Sequence, residues 1–184
     1  MRHTYNNTSL LSMQTIALLL AIFAPLTLAS PSPQALRPSP PMCKAGQLIL
    51  RLDHGRGVFD DASQSAMLLI LHNTQATACT LPARPELRFQ DSSGRTFQVI
   101  AKGKPGMHPG PVIPPITLSA DGTVASTMRW VSGNAFPDRR CVTPAYILVV
   151  FGNDTVQANF NGQLCGPRDS RPSYNATFFS SFPK

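Results

Sequence analysis

The chain has 184 residues, 42% of them hydrophobic, with a formal net charge of +7, 18 prolines, 12 glycines and four cysteines. Proline plus glycine makes 30 of 184 residues, about 16%, below the roughly 25–30% of low-complexity chains, so a disordered polymer is excluded. A single glutamate (Glu86) and four lysines are too few to clothe exposed helices, which argues against a helical protein.

Residues 1–29 read as a secretory signal. Arg2 and His3 open it, an apolar run follows over 15–24, and Thr27-Leu28-Ala29 offers small residues where a signal peptidase reads. The run is shorter than the ~20 residues that span a bilayer, and Pro25 interrupts it. No later apolar stretch is long enough either, so the expectation is an exported, soluble protein, periplasmic or extracellular, with no transmembrane segment in its mature form. Residues 30–42 carry five prolines and read as an extended Pro-rich linker. One domain is expected over 43–166, followed by a polar and aromatic C-terminal tail over 167–184. Without the signal, 15 basic residues stand against nine acidic ones, a net +6, and 11 of the 15 are arginines spread along the chain.

All four cysteines follow the signal, and an even number in an oxidising compartment predicts two disulfides. Three connectivities exist. Gly152-Asn153-Asp154 reads as a hairpin turn between two apolar runs, and Cys141 and Cys165 each lie twelve residues from Asn153. A hairpin folded there brings the two together at its open end. That selects Cys141–Cys165 and leaves Cys43–Cys79, which would close the first two strands in a similar way. No C-x-x-C exists, so a zinc site is not indicated.

Strand signals recur from Cys43 onward. Residues 47–52 form a short apolar run, and 53–65 a polar loop. Residues 66–71 are nearly continuously apolar, as in a central strand covered on both faces. After a turn at 73–77 comes Cys79-Thr80-Leu81. Residues 86–90 and 95–99 alternate with period two about the turn Asp91-Ser92-Ser93-Gly94, which predicts a hairpin. Residues 103–115 form a Pro/Gly loop, then Ile116-Thr117-Leu118 leads to a turn at 119–122. Val124, Ser126, Met128 and Trp130 face one way and Ala125, Thr127 and Arg129 the other. Residues 146–151 and 155–160 make the last hairpin. Seven to nine short strands without a helix predict an all-β antiparallel sandwich, with Trp130 in the core near a disulfide.

The order of Cys43, Asn73 followed by Cys79-Thr80-Leu81, Pro85-Glu86-Leu87, Asp91-Ser92-Ser93-Gly94, Leu118-Ser119-Ala120-Asp121-Gly122, Trp130 and Cys141 carries a family resemblance. Over about residues 43–166 the chain resembles the exported bacterial domain of unknown function 4232. It departs at Pro82-Ala83-Arg84, where that family tends to have a glycine and an aromatic residue. The resemblance implies an immunoglobulin-like sandwich in an exported bacterial protein; it implies no reaction and no catalytic residues.

Chemistry is sparse. No Gly-x-Ser-x-Gly elbow is present, and the cysteines are expected to be paired. Asp60 and Asp61 are loop neighbours that point apart, unlike a glycosidase pair. Asn153-Asp154-Thr155 and Asn175-Ala176-Thr177 match glycosylation acceptors, which matter only in a eukaryotic secretory pathway. The leading expectation is a non-enzymatic binding or interaction module of the envelope or extracellular space, without a cofactor or a metal. Its partner would be a protein or an anionic glycan or other envelope component, not a nucleic acid, and the protein a monomer. Sandwich loops commonly carry binding, so Lys102, Lys104 and His108 in one loop and His54 and Arg56 in another are the candidate contacts. An alternative is an envelope assembly or chaperone role by strand pairing, in which the Phe-bearing tail could be donated. A further alternative is a periplasmic copper-binding protein using Met107 with His54, His72 and His108.

Overall fold

The computed structural model describes residues 38–55, 63–103, 113–133 and 135–182. The signal over 1–29, most of the linker, and Arg56, Lys104, Met107 and His108 lie outside the described residues. Within them the chain is all β, apart from one 3-10 turn at Ala45–Gln47. The first strands are β1 (Leu48–Asp53), β2 (Gln64–Asn73), β3 (Cys79–Leu81), β4 (Glu86–Gln90), β5 (Thr96–Phe97), β6 (Ile100–Ala101) and β7 (Ile116–Leu118). The others are β8 (Thr123–Val131), β9 (Arg139–Val142), β10 (Tyr146–Phe151), β11 (Asp154–Asn159), β12 (Leu164–Pro167), β13 (Ser173–Ala176) and β14 (Ser180–Ser181). Fourteen strands among the described residues exceed the seven to nine expected, because β9, β12, β13 and β14 form in segments without a clear strand signal and the chain after β5 changes partner to make β6.

Two larger sheets enclose most of the core, with two-stranded sheets β12-β9 and β3-β7 beside them. One has the order β1-β2-β8-β13-β6, with β14 also on β8; the other has β11-β10-β4-β5. Leu50, Met67, Leu69, Val124, Met128 and Trp130 from the first meet Leu87, Phe89, Ile147, Val149 and Phe151 from the second in one buried cluster. The alternation along β8 is as expected: Met128 and Trp130 are buried while Arg129 is exposed. Strand β2 is buried on both faces, with Ala66 and Ile70 on one and Met67, Leu69 and Leu71 on the other. Trp130 donates its indole N–H to the Gln163 carbonyl at 3.0 Å, two residues before Cys165. Phe160 packs against both Trp130 and Phe89, with ring centroids 5.6 and 5.7 Å away.

Both disulfides form as expected, Cys43–Cys79 and Cys141–Cys165, and no described cysteine is free. Their placement follows one rule. Strands β10 and β11 pair from Tyr146↔Asn159 to Phe151↔Asp154, and β9 and β12 continue that hairpin with Cys141 directly opposite Cys165. Cys141 lies five residues before Tyr146 and Cys165 six after Asn159. In the β1–β2 hairpin, which starts at Leu48↔Asn73, Cys43 lies five before Leu48 and Cys79 six after Asn73. Each disulfide therefore clamps the open end of a hairpin, one residue out of its register. The β10–β11 turn has a positive φ (57°) at Gly152 and not at Asn153, the pattern of a type II′ turn with glycine first.

One expectation needs correction. In the segment expected as a surface tail, residues 173–181 are tied into a sheet: β13 pairs with β8 from Tyr174↔Trp130 to Ala176↔Met128, and β14 continues at Ser180↔Ala125. Tyr174, Ala176 and Phe179 are buried. Pairing slips by one residue between Ala176 and Ser180, so the inward residues are spaced two and then three apart, and the period-two signal is lost. The sheets are antiparallel as expected, apart from the short β13–β6 pair, which runs parallel.

Candidate functional site

The hairpin expected over 86–90 and 95–99 forms for only two pairs, Phe89↔Phe97 and Gln90↔Thr96. Continuing that register would set Val99 opposite Leu87, but at 98–99 the chain leaves β4 and enters the other sheet as β6 on β13. The alternation persists through the crossover: Phe97, Val99 and Ala101 turn toward the core, while Thr96, Gln98 and Ile100 face out. The Leu87 amide is thus left without its strand partner, and the Tyr174 hydroxyl accepts its hydrogen bond at 3.1 Å. A buried amide left unpaired costs about 1–3 kcal/mol, so the phenol replaces a missing ladder bond. Burial of the phenol pushes its pKa above 10.0, outweighing the Leu87 hydrogen bond, which lowers it.

Where β4 and the crossover part, a groove of about 520 Å³ opens. Its floor is apolar, with Leu87, Phe89, Phe97, Val99, Ala101 and Ala176, and Arg84, Glu86, Arg88 and Lys102 stand around it. Arg84 is committed to the framework. Its Nε donates to the Ala176 carbonyl at 2.9 Å and one terminal nitrogen to the Gly103 carbonyl at 2.7 Å, and its guanidinium lies 5.1 Å from the Phe178 ring centre. Gly103 has a positive φ (77°), which favours glycine there. Arg88 and Glu86 form an exposed ion pair at 3.6 Å. Lys102 makes no ion pair or side-chain hydrogen bond with another described residue.

A second polar cluster sits at the far end of β2. His72 faces Thr123 across the ladder, with Nδ1 and Oγ1 3.1 Å apart, and its Nε2 is 3.3 Å from the Asp121 carboxylate. In the neutral ring the carboxylate requires the proton on Nε2, leaving Nδ1 to accept the Thr123 hydroxyl. Asp121 sits at φ 51° in a turn pinned by buried Asn73, whose amide donates to the Thr77 and Ser119 carbonyls. The nearby Asn73 and Phe182 amides donate to the Gly122 and Thr123 carbonyls. The His72 pair therefore ties a strand end to a turn.

Of the expected contact residues, Lys102 lines the groove, and His54 follows β1 at the opposite edge of the same sheet. Four strand spacings of about 4.8 Å put about 19 Å between those edges, so the two residues do not share one site. Arg56, Lys104 and His108 lie outside the described residues, as does Met107 of the copper reading. No group of three or more His, Cys, Asp or Glu able to hold a metal occurs among the described residues. Sequence reading missed Arg84, Arg88 and Tyr174. Tyr174 and Leu87 are 87 positions apart, and only the sheet topology joins them.

A family model described as Domain of unknown function (DUF4232) matches residues 43–177. The match runs past residue 166 and takes in β13. No curated protein and no solved structure matches the chain.

Proposed function

Because this chain belongs to the DUF4232 family, which assigns it no reaction, we propose from its geometry that it is a non-enzymatic, exported binding module. Its ligand is an amphiphilic anion held in the groove beside β4. The observation that carries this reading is the interrupted ladder: an apolar floor lies open where β5 leaves β4, with Lys102 at its margin. The volume is in the range of small-molecule sites, about 300–1,000 Å³. Export is supported by the signal-like residues 1–29 and by two disulfides, which persist in oxidising compartments. No described helix is long and apolar enough to cross a membrane. Assembly by donating the C-terminal segment draws less support, since residues 173–181 already pair along β8 and donation would dismantle that ladder.

The test is a fluorescence titration with 8-anilinonaphthalene-1-sulfonate, an apolar anion. Saturable binding is expected, weakened about tenfold (about 1.4 kcal/mol) by Ala101→Trp, which fills the floor, and by Lys102→Glu. Lys44→Glu, away from the groove, should leave it unchanged. Equal binding by all four proteins would refute the assignment.

A further inference from the structure

The arginines are scattered in sequence, but the fold gathers four of them. Arg139 and Arg140 lie on β9, Arg168 follows β12, and Arg171 precedes β13. Pairing of β9 with β12 sets Arg140 opposite Gly166 and Arg139 opposite Pro167, and the Arg168 amide donates to the Asp138 carbonyl at 3.2 Å. Gly166 has no side chain, and a Cβ there would stand 3.0 Å from the Arg171 carbonyl oxygen and 3.2 Å from the Pro172 Cα. Arg171 and Pro172 therefore lie over the face that Arg140 shares. Arg139 points to the other face, because successive strand residues alternate.

All four arginines are exposed, and none has an ion-pair or hydrogen-bond partner for its guanidinium among the described residues. Asp138 and Asp169 are in the same segments, yet neither carboxylate comes within 4.0 Å of them. Arg84, Arg88 and Arg95, in contrast, are engaged with carbonyls or carboxylates. The ladder that carries Arg139 and Arg140 is clamped by Cys141–Cys165 at the next residue, so the backbone presenting these groups is fixed before any ligand arrives.

From this we infer that the β9–β12 end is a binding site for an acidic polysaccharide, separate from the groove beside β4. The patch uses guanidinium only, whose fork matches carboxylate, sulfate and phosphate groups. Its charges lie on both faces of a strand pair. A flexible polyanion can wrap such an edge, whereas a flat bilayer reaches one face. Of the exposed large apolar residues, Met42, Ile49, Ile113 and Phe178 are not in these segments, and Ile100 comes beside Arg171 through its amide bond to the Pro172 carbonyl, so the patch lacks the set of apolar side chains that seats a protein in a membrane interface.

Heparin serves as the probe, with affinity measured by calorimetry over a salt series. The variant Arg139→Gln/Arg140→Gln/Arg168→Gln/Arg171→Gln lowers the net charge by four; Lys44→Glu/Arg51→Glu lowers it equally elsewhere. The four-arginine variant should weaken binding roughly tenfold or more and flatten its salt dependence, while the control changes it by less than about threefold. Dye binding in the groove should be unchanged in the four-arginine variant, which separates this site from the first. Equal weakening by both variants would show diffuse charge, and absence of heparin binding would remove the site. Vesicles of phosphatidylglycerol bound as tightly, with the same arginine dependence, would replace the polysaccharide by a membrane. Each of these three results overturns the inference.

Discussion

The adjacent residues Phe178 and Phe179 offer a sharp test of the C-terminal strand. Phe179 is 7% exposed and belongs to the core cluster, whereas Phe178 is 46% exposed beneath the Arg84 guanidinium. Burying a phenylalanine removes about 200 Å² from water, about 5 kcal/mol at 25 cal/mol per Å², and an extended reference chain overstates this by about 10–40%. Phe179→Ala should thus cost about 3–5 kcal/mol, matching measured losses for Phe→Ala in cores. Phe178→Ala gives up mainly a cation–π contact, about 0.5–1 kcal/mol at an exposed site. For a domain of this size about 1 kcal/mol moves the melting temperature by about 2–4 °C. Thermal denaturation followed by circular dichroism should therefore show a drop of about 6–20 °C for Phe179→Ala and of a few degrees at most for Phe178→Ala. A surface tail would give two changes within about 0.5 kcal/mol of zero. Equal effects at the two positions would refute the bulged pairing of β13 and β14 with β8.

Tyr174→Phe should destabilise by about 1–3 kcal/mol at neutral pH, because it leaves the buried Leu87 amide unpaired; urea midpoints measure this. Because the folded pKa of Tyr174 lies above its ordinary 10.0, the folded state keeps a proton that the unfolded chain loses; the stabilisation holds below pH 10 and disappears as pH rises through the folded pKa. The alkaline fall in stability should be shallower in Tyr174→Phe. Asp91 behaves oppositely. Its carboxylate accepts from the Ser93 hydroxyl, and from the Ser93 and Arg95 amides, which holds its pKa below 3.8 despite some desolvation. Its contribution is present above that value and lost as pH falls through the folded pKa, so Asp91→Asn should flatten the acid limb of the stability profile. Removing Cys43–Cys79 or Cys141–Cys165, with sequence separations of 36 and 24, should cost about 3.8 and about 3.5 kcal/mol respectively on the loop-entropy account, read from denaturant midpoints. A much larger gap between the two would show that strain or residual structure dominates one of them.

Local chemistry is what the amino-acid sequence determines by itself here. The shortage of Glu and Lys, the alternation along 124–130 and the Gly152 turn each act over a few residues, and they suffice for an all-β fold. The equal distances from Cys141 and Cys165 to Asn153 even predict a disulfide, because a hairpin converts sequence spacing directly into proximity. The C-terminal strand escaped this reading because its bulge breaks the period between Ala176 and Phe179. The site escaped it for another reason. Lys102 is visible as a charge in a loop, but its groove exists only because the chain abandons β4 at residues 98–99 and Tyr174, from the other sheet, takes the vacant Leu87 amide. The arginine patch is likewise absent from the linear order: Arg140 and Arg171 share a face because β9 pairs with β12 opposite a glycine whose empty side is filled by backbone. Short-range periodicity specifies which segments become strands, while long-range pairing decides which side chains meet, and the candidate binding surfaces of this protein depend on the second.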